Sequence, residues 1–306
     1  MQTYSKNIYL HNIKLNFKSD CQSLFNAFCE ELKFPKFRNY NKYIEIDLNL
    51  SVKNKAFKNG RSDVAGLKDE NFSLDCWIKN ISLEANPKEN KINAKLLYPS
   101  SLTIENLLHL TIISPLRRIL AYHNISLIHS AVVSKKNKAL LICGGPGMGK
   151  STLAAALIDK GYNFLSDEFA ILHEDRILSF PLKMKLDKQS LKFLTLNEGR
   201  KIATSFYAQE YFPAKPAERA CLGVILFICQ SDNPLRPPEL KKLKTKESFT
   251  ILAYDKVNSL PEEKNIIIRQ HQIQNLCRLA YQARSYALSY SLDQIREIPR
   301  LLGKLL

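Results

Sequence analysis

The feature that most constrains this chain is a short apolar run, ALLIC at residues 139–143, followed at once by GGPGMGKS at residues 144–151. A continuous apolar run of that length reads as a strand buried on both faces. Glycines in the next segment permit backbone turns that other residues resist. Residues 150–160 then read as a helix that Gly161 can end in the left-handed conformation. Residues 162–165 return as a strand, so the whole is a βαβ unit, which predicts parallel central strands in a buried sheet.

The turn satisfies GxxxxGK[ST] in the strand-to-helix context that gives the pattern its meaning. Gly144, Gly145, Pro146, Gly147, Met148 and Gly149 would direct consecutive N–H groups at phosphate oxygens, at the positive end of a helix dipole. Lys150 would reach the β- and γ-phosphates, the Ser151 hydroxyl would ligate Mg²⁺, and Thr152 completes the motif at the helix start. ATP and Mg²⁺ are therefore the expected cofactors. The alternative is a glycine-rich turn with no ligand.

Asp167 and Glu168 follow at the carboxyl end of the next strand, the edge of a parallel sheet where ligands gather. If that strand lies beside the loop strand, one carboxylate can face a metal and the other an attacking group; otherwise either merely caps a turn. His129 sits near the middle of a strand expected over 127–133. A lone strand histidine is more often a satisfied core residue than a functional one.

Around these motifs, the 306 residues and an apolar fraction of 45% suit a globular protein of one large or two modest domains. The opening residues hold no apolar core of signal-peptide length, and the longest apolar run, 221–229 (CLGVILFIC), is too short to cross a bilayer. That run reads as a buried strand, and the protein as cytoplasmic. Seven cysteines without a CxxC pair read as reduced core residues. The net charge of +16 suits an anionic partner, but the lysines are spread along the chain. The densest basic stretch, 241–246 (KKLKTK), reads as a solvated loop or edge.

Residues 1–103 read as a small mixed, mainly antiparallel domain. Strands are expected over 8–17, 43–52, 72–81 and 92–97, with a helix over 21–32. Residues 104–306 read as a P-loop domain. It opens with a helix over 104–122 that Pro115 can kink and closes with a helix over 265–282, a strand over 286–290 and a last helix. Ser291 and Gln294 fit a capping box for that helix.

The stretches LIHSAVV and LLICGGPGMGKSTLAAALIDKGYNFLSDEFAIL resemble the catalytic domain of the HPr serine kinase/phosphorylase family, in the HPr-kinase-related branch that includes lasso-peptide kinases. The ending YALSYSLDQIREI resembles the same branch, and the resemblance covers residues 104–306. It implies an α/β P-loop kinase fold with a mixed central sheet and flanking helices. Asp167 then matches the carboxylate that takes the proton of a substrate serine, and His129 the histidine that supports it. Glu168 stands where that family has a second aspartate, which suits Mg²⁺ binding. Residues 180–188 (FPLKMKLDK) resemble the branch's Pro-and-Lys segment, making Lys183, Lys185 and, more weakly, Arg219 candidates for phosphate contacts. The phosphorylase signature is missing, and homo-oligomers are a family habit only.

The leading expectation is a Mg²⁺–ATP-dependent kinase of a peptide or protein serine, with an acidic acceptor favoured by the basic surface. A metabolite kinase, a nucleotide-gated regulatory or assembly protein without transfer, and a nucleic-acid ATPase are the other readings. The last lacks helicase-type motifs, so nucleic acid is not an expected partner.

Overall fold

A computed structural model describes residues 2–32, 40, 42–53, 67–68, 71–75, 81–97, 103–180, 182–194, 205–212, 216–231, 236–254 and 265–306. By internal contact the chain groups into two compact units, Met1–Ile125 with Glu262–Gln272, and Ser126–Pro261 with Ile273–Leu306. Both combine helices with mixed sheets, so the protein is of the mixed α/β class. Residues 104–125 group with the strands that precede them.

The first unit holds strands β1 (Tyr4–Leu10), β2 (Ile13–Ser19), β3 (Ile44–Lys53), β4 (Leu67–Lys68), β5 (Asn71–Asp75), β6 (Ile81–Asn86) and β7 (Lys91–Leu97). They form one sheet in the order β1-β2-β3-β7-β6-β5-β4. Helix α1 (Gln22–Glu31) connects β2 to β3, a parallel pair, as a crossover requires. The single strand expected over 8–17 is instead the hairpin β1–β2, which turns at His11 with φ of 54°. The apolar periodicity continues through the turn and hides it. Of the strand expected over 72–81, residues 76–80 lie outside the described residues, and β5 and β6 flank them.

The expected helix over 104–122 is α2 (Ile104–Leu108), a π-turn at His109–Ile113 and α3 (Ser114–Tyr122). Pro115 lacks the N–H that would bond back one turn, and its ring crowds the carbonyl before it, so the ladder widens just ahead of it.

The second unit contains β8 (Ser126–His129), β9 (Ala131–Lys135), β10 (Lys138–Cys143), α4 (Lys150–Asp159), β11 (Asn163–Ser166), β12 (Phe169–His173), β13 (Arg176–Leu178) and β14 (Met184–Lys185). It continues with α5 (Lys188–Phe193), β15 (Ser205–Phe206), α6 (Ala208–Tyr211), β16 (Arg219–Gln230), β17 (Glu239–Lys242) and α7 (Thr245–Tyr254). Helix α8 (Ile266–Gln282) starts among residues of the first unit and ends in the second, followed by β18 (Arg284–Tyr290) and α9 (Ile298–Leu302). The main sheet runs β11-β9-β10-β16-β13-β12-β8, with β18 also on β16 and β17 on β18.

Strand β10 is buried on both faces. Leu140 and Ile142 pack with α4 residues Leu153 and Leu157, while Ala139, Leu141 and Cys143 pack on the other side with Leu276 and Leu279 of α8. Each of these leucines and isoleucines contributes about 1.5–3 kcal/mol by leaving water. This two-sided burial anchors the start of the glycine loop.

The expected parallel relation of the strands flanking α4 is present but indirect. Strand β9 lies between β10 and β11 and is antiparallel to both. The parallel neighbour of β10 is β16, which in turn pairs parallel with β18. The cysteine expectation is corrected as well: Cys29 and Cys143 are buried, Cys21 and Cys221 partly so, and Cys229 and Cys277 are exposed. Strand β17 is an exposed edge, as its lysines suggest. Among the described residues no helix is long and apolar enough to cross a membrane.

Candidate functional site

The loop between β10 and α4 is shaped by two glycines in the left-handed region, Gly147 at φ 75° and Gly149 at φ 82°. Gly144 is needed for a different reason. A Cβ there would meet Ile228 Cγ1 at 2.9 Å and Ile228 O at 3.2 Å. The loop thus fits against the carboxyl end of β16 only without a side chain. Residues 145–148 are exposed and Gly144, Gly149, Lys150 and Ser151 are half-buried. Leu153 N–H donates to Gly149 O at 2.9 Å, the first bond of α4. Lys150 Nζ turns back onto its own loop, donating to Gly144 O at 2.9 Å and Gly145 O at 3.1 Å. Thr152 Oγ1 is buried and lies 2.7 Å from Ser190 Oγ, which ties the first turn of α4 to α5.

Two extended segments meet beside this loop. Residues 126–135 and 163–173 run antiparallel, with His129 opposite Phe169 and Val132 opposite Ser166. Between those registered pairs stand Ser130 and Ala131 on one side and Asp167 and Glu168 on the other. The pairing is interrupted there, which is why the strand expected over 127–133 appears as two, β8 and β9. His129 closes β8 half-buried, its ring 5.8 Å from that of Phe169. The break lets the acidic pair leave the ladder without removing it from the sheet.

Asp167 is 4% exposed. Its Oδ2 accepts the Lys185 N–H at 3.2 Å, while its buried Oδ1 has no hydrogen-bond partner. Burial pushes this carboxyl up to about 6; the nearby Ser151 hydroxyl and the Lys185 N–H oppose the rise. The Ser151 effect reflects proximity, since no hydrogen bond of good geometry reaches Oδ1. Glu168 turns the other way, pairing with Lys185 Nζ at 3.4 Å. One residue of β14 therefore holds both carboxylates, Asp167 by its backbone and Glu168 by its side chain.

The expected site residues accordingly divide. Ser151 and Asp167 are neighbours, and Glu168 stands in the break in strand pairing that His129 borders. Lys183 Nζ lies 5.8 Å from the Tyr207 ring centre. Arg219 begins β16, whereas Phe227 near its end is level with Cys143. At about 3.3 Å per residue, that puts Arg219 at the far end of the strand from the glycine loop. Pro181 of the 180–188 segment lies outside the described residues.

A hard divalent cation fits these donors. The Ser151 hydroxyl and the carboxylates of Asp167 and Glu168 are oxygen donors of the required kind. Among the described residues no group of three or more His, Cys, Asp or Glu is placed to hold a metal ion.

Sequence reasoning missed two features of this region. Ser130 is fully buried with an unpaired hydroxyl beside His129, and the hydroxyl of fully buried Tyr290 abuts Gly149. Tyr290 ends a strand parallel to the central ones, a position that itself points to the ligand edge.

No family model and no curated protein matches the chain. Among solved structures, one described as the Hpr(Ser) kinase/phosphatase from Coxiella burnetii is similar over 59% of this chain and 87% of that one, at 13% identity and a TM-score of 0.30. A likeness of that size carries no argument about activity.

Proposed function

We propose that this chain is a Mg²⁺–ATP-dependent kinase that transfers the γ-phosphate to a hydroxyl, that of a serine in a peptide or protein. The observation that carries the reading is the buried Asp167 carboxyl, with one oxygen unpaired, beside Ser151 of the GGPGMGKS loop. Most buried polar side-chain atoms are paired. One left without a partner next to a phosphate-binding motif suits a proton acceptor.

In this reading the loop N–H groups and Lys150 hold the triphosphate. Mg²⁺, held by Ser151 and Glu168, would neutralise phosphate charge and leave Asp167 to the acceptor. Asp167 takes the proton of the acceptor hydroxyl as its oxygen bonds to the γ-phosphorus. The bond from that phosphorus to the bridging oxygen breaks, and ADP leaves with the electron pair. His129, whose ring stands beside Phe169, takes the role of supporting Asp167 in this reading. A carboxyl raised to about 6 is a stronger base than an ordinary aspartate and still ionises near neutral pH. The net charge of +16 favours an acidic acceptor.

The test is incubation with γ-labelled ATP, Mg²⁺ and a lysate of the source cells, separating label in protein, in small molecules and as free phosphate. Label in a peptide or protein band supports the reading. Label in a small molecule makes the acceptor a metabolite, and free phosphate alone contradicts transfer.

A further inference from the structure

Tyr290 is fully buried at the carboxyl end of β18, among Leu153, Ala154 and Ile228 of the same core. Burial of its phenol pushes its pKa far above the usual tyrosine range, so the oxygen keeps its proton and remains a donor. That hydroxyl has no hydrogen-bond partner, and a Cβ on Gly149 would lie 3.3 Å from it. A phenylalanine would fill the same space without the cost of an orphaned donor.

The backbone this hydroxyl abuts is that of the glycine loop. A peptide group is planar, so a loop residue that turns its N–H to a phosphate turns the attached C=O away from it. Carbonyls turned away in this manner are the acceptors a donor behind the loop can reach. We propose that Tyr290 is a positioning residue of the phosphate loop: its buried hydroxyl donates to a loop carbonyl when the loop holds phosphate, and so favours the phosphate-holding arrangement. The inference rests on the loop binding phosphate, as in the proposed function. Tyr290 itself never touches the nucleotide.

The test is Tyr290→Phe, read by calorimetric binding of ATP and of inorganic pyrophosphate, and by thermal melting without ligand. Binding of both is expected to weaken about fivefold, the ordinary worth of one neutral hydrogen bond, while the melting temperature holds or rises. Equal affinity in the variant overturns the proposal. So does a variant that melts lower or fails to fold, because the hydroxyl would then be structural. A second comparison uses Gly149→Ala, whose Cβ meets this hydroxyl: its melting penalty should shrink in a Tyr290→Phe background, and strict additivity counts against the contact. If the wild-type protein binds neither ATP nor pyrophosphate, the proposed function falls as well; if it binds both and Tyr290→Phe changes nothing, only the role of Tyr290 falls.

Discussion

Lys185 N–H donates to Asp167 Oδ2 at 3.2 Å while the ammonium of the same residue lies 3.4 Å from Glu168. One short strand thus separates two adjacent carboxylates, holding one in the protein and drawing the other toward solvent. The difference in surroundings gives neighbouring acids different chemistry.

The first consequence is a pH signature of stability. The folded-state value of Asp167 is raised from an ordinary 3.8 to about 6, so the folded protein holds the proton more tightly than the unfolded chain. The associated stability is fully present below about pH 4 and is lost as pH rises through about 6, by about 3 kcal/mol at most. Chemical denaturation at pH 4 and pH 7 should show this loss in the wild type and not in Asp167→Asn. An equal pH response in both would contradict the assignment.

Catalysis should respond in the opposite sense. With Asp167 as proton acceptor, kcat/KM falls about tenfold per pH unit below about 6. Steady-state kinetics between pH 5 and 8 checks this, and a flat profile excludes the base.

Lys150→Ala removes the ammonium that reaches Gly144 O and Gly145 O. Transfer should drop by roughly 10²–10³-fold, the range for losing one charge-stabilising donor, with far-UV circular dichroism unchanged.

Gly149→Ala forces a side chain onto a backbone at φ 82° and against the Tyr290 hydroxyl. The conformational part alone costs about 1–2 kcal/mol, so the variant should melt lower and bind ATP weakly. An unaltered melting curve would mean that the loop is not held in this conformation.

His129→Gln should lower kcat by roughly 10–100-fold, as expected for a group that orients another, with ATP affinity preserved. Loss of affinity in step with kcat would instead make His129 part of the nucleotide site.

The loop and α4 were legible because their signals are local. An apolar run, glycines, Lys-Ser at a helix start and Gly161 at its end each act within a few residues; Gly161 indeed has φ 82°. The sheet order was not, because β9 enters between β10 and β11 through register that no short window carries. The break opposite Asp167 was hidden for the same reason: residues 127–133 read as one continuous strand, although β8 ends at His129 and β9 starts at Ala131. Gln294 does accept the Ser291 N–H at 3.0 Å, but the box starts the short turn Leu292–Gln294 and not the last helix, α9, which begins at Ile298. Tyr290 escaped notice because its meaning depends on Gly149, 141 positions earlier in the chain.

The most direct test compares wild type with Asp167→Asn in ATP affinity and in transfer of labelled γ-phosphate to the acceptor fraction. The account predicts that the variant binds ATP at least as tightly as wild type and transfers no phosphate. Normal transfer by Asp167→Asn would contradict it.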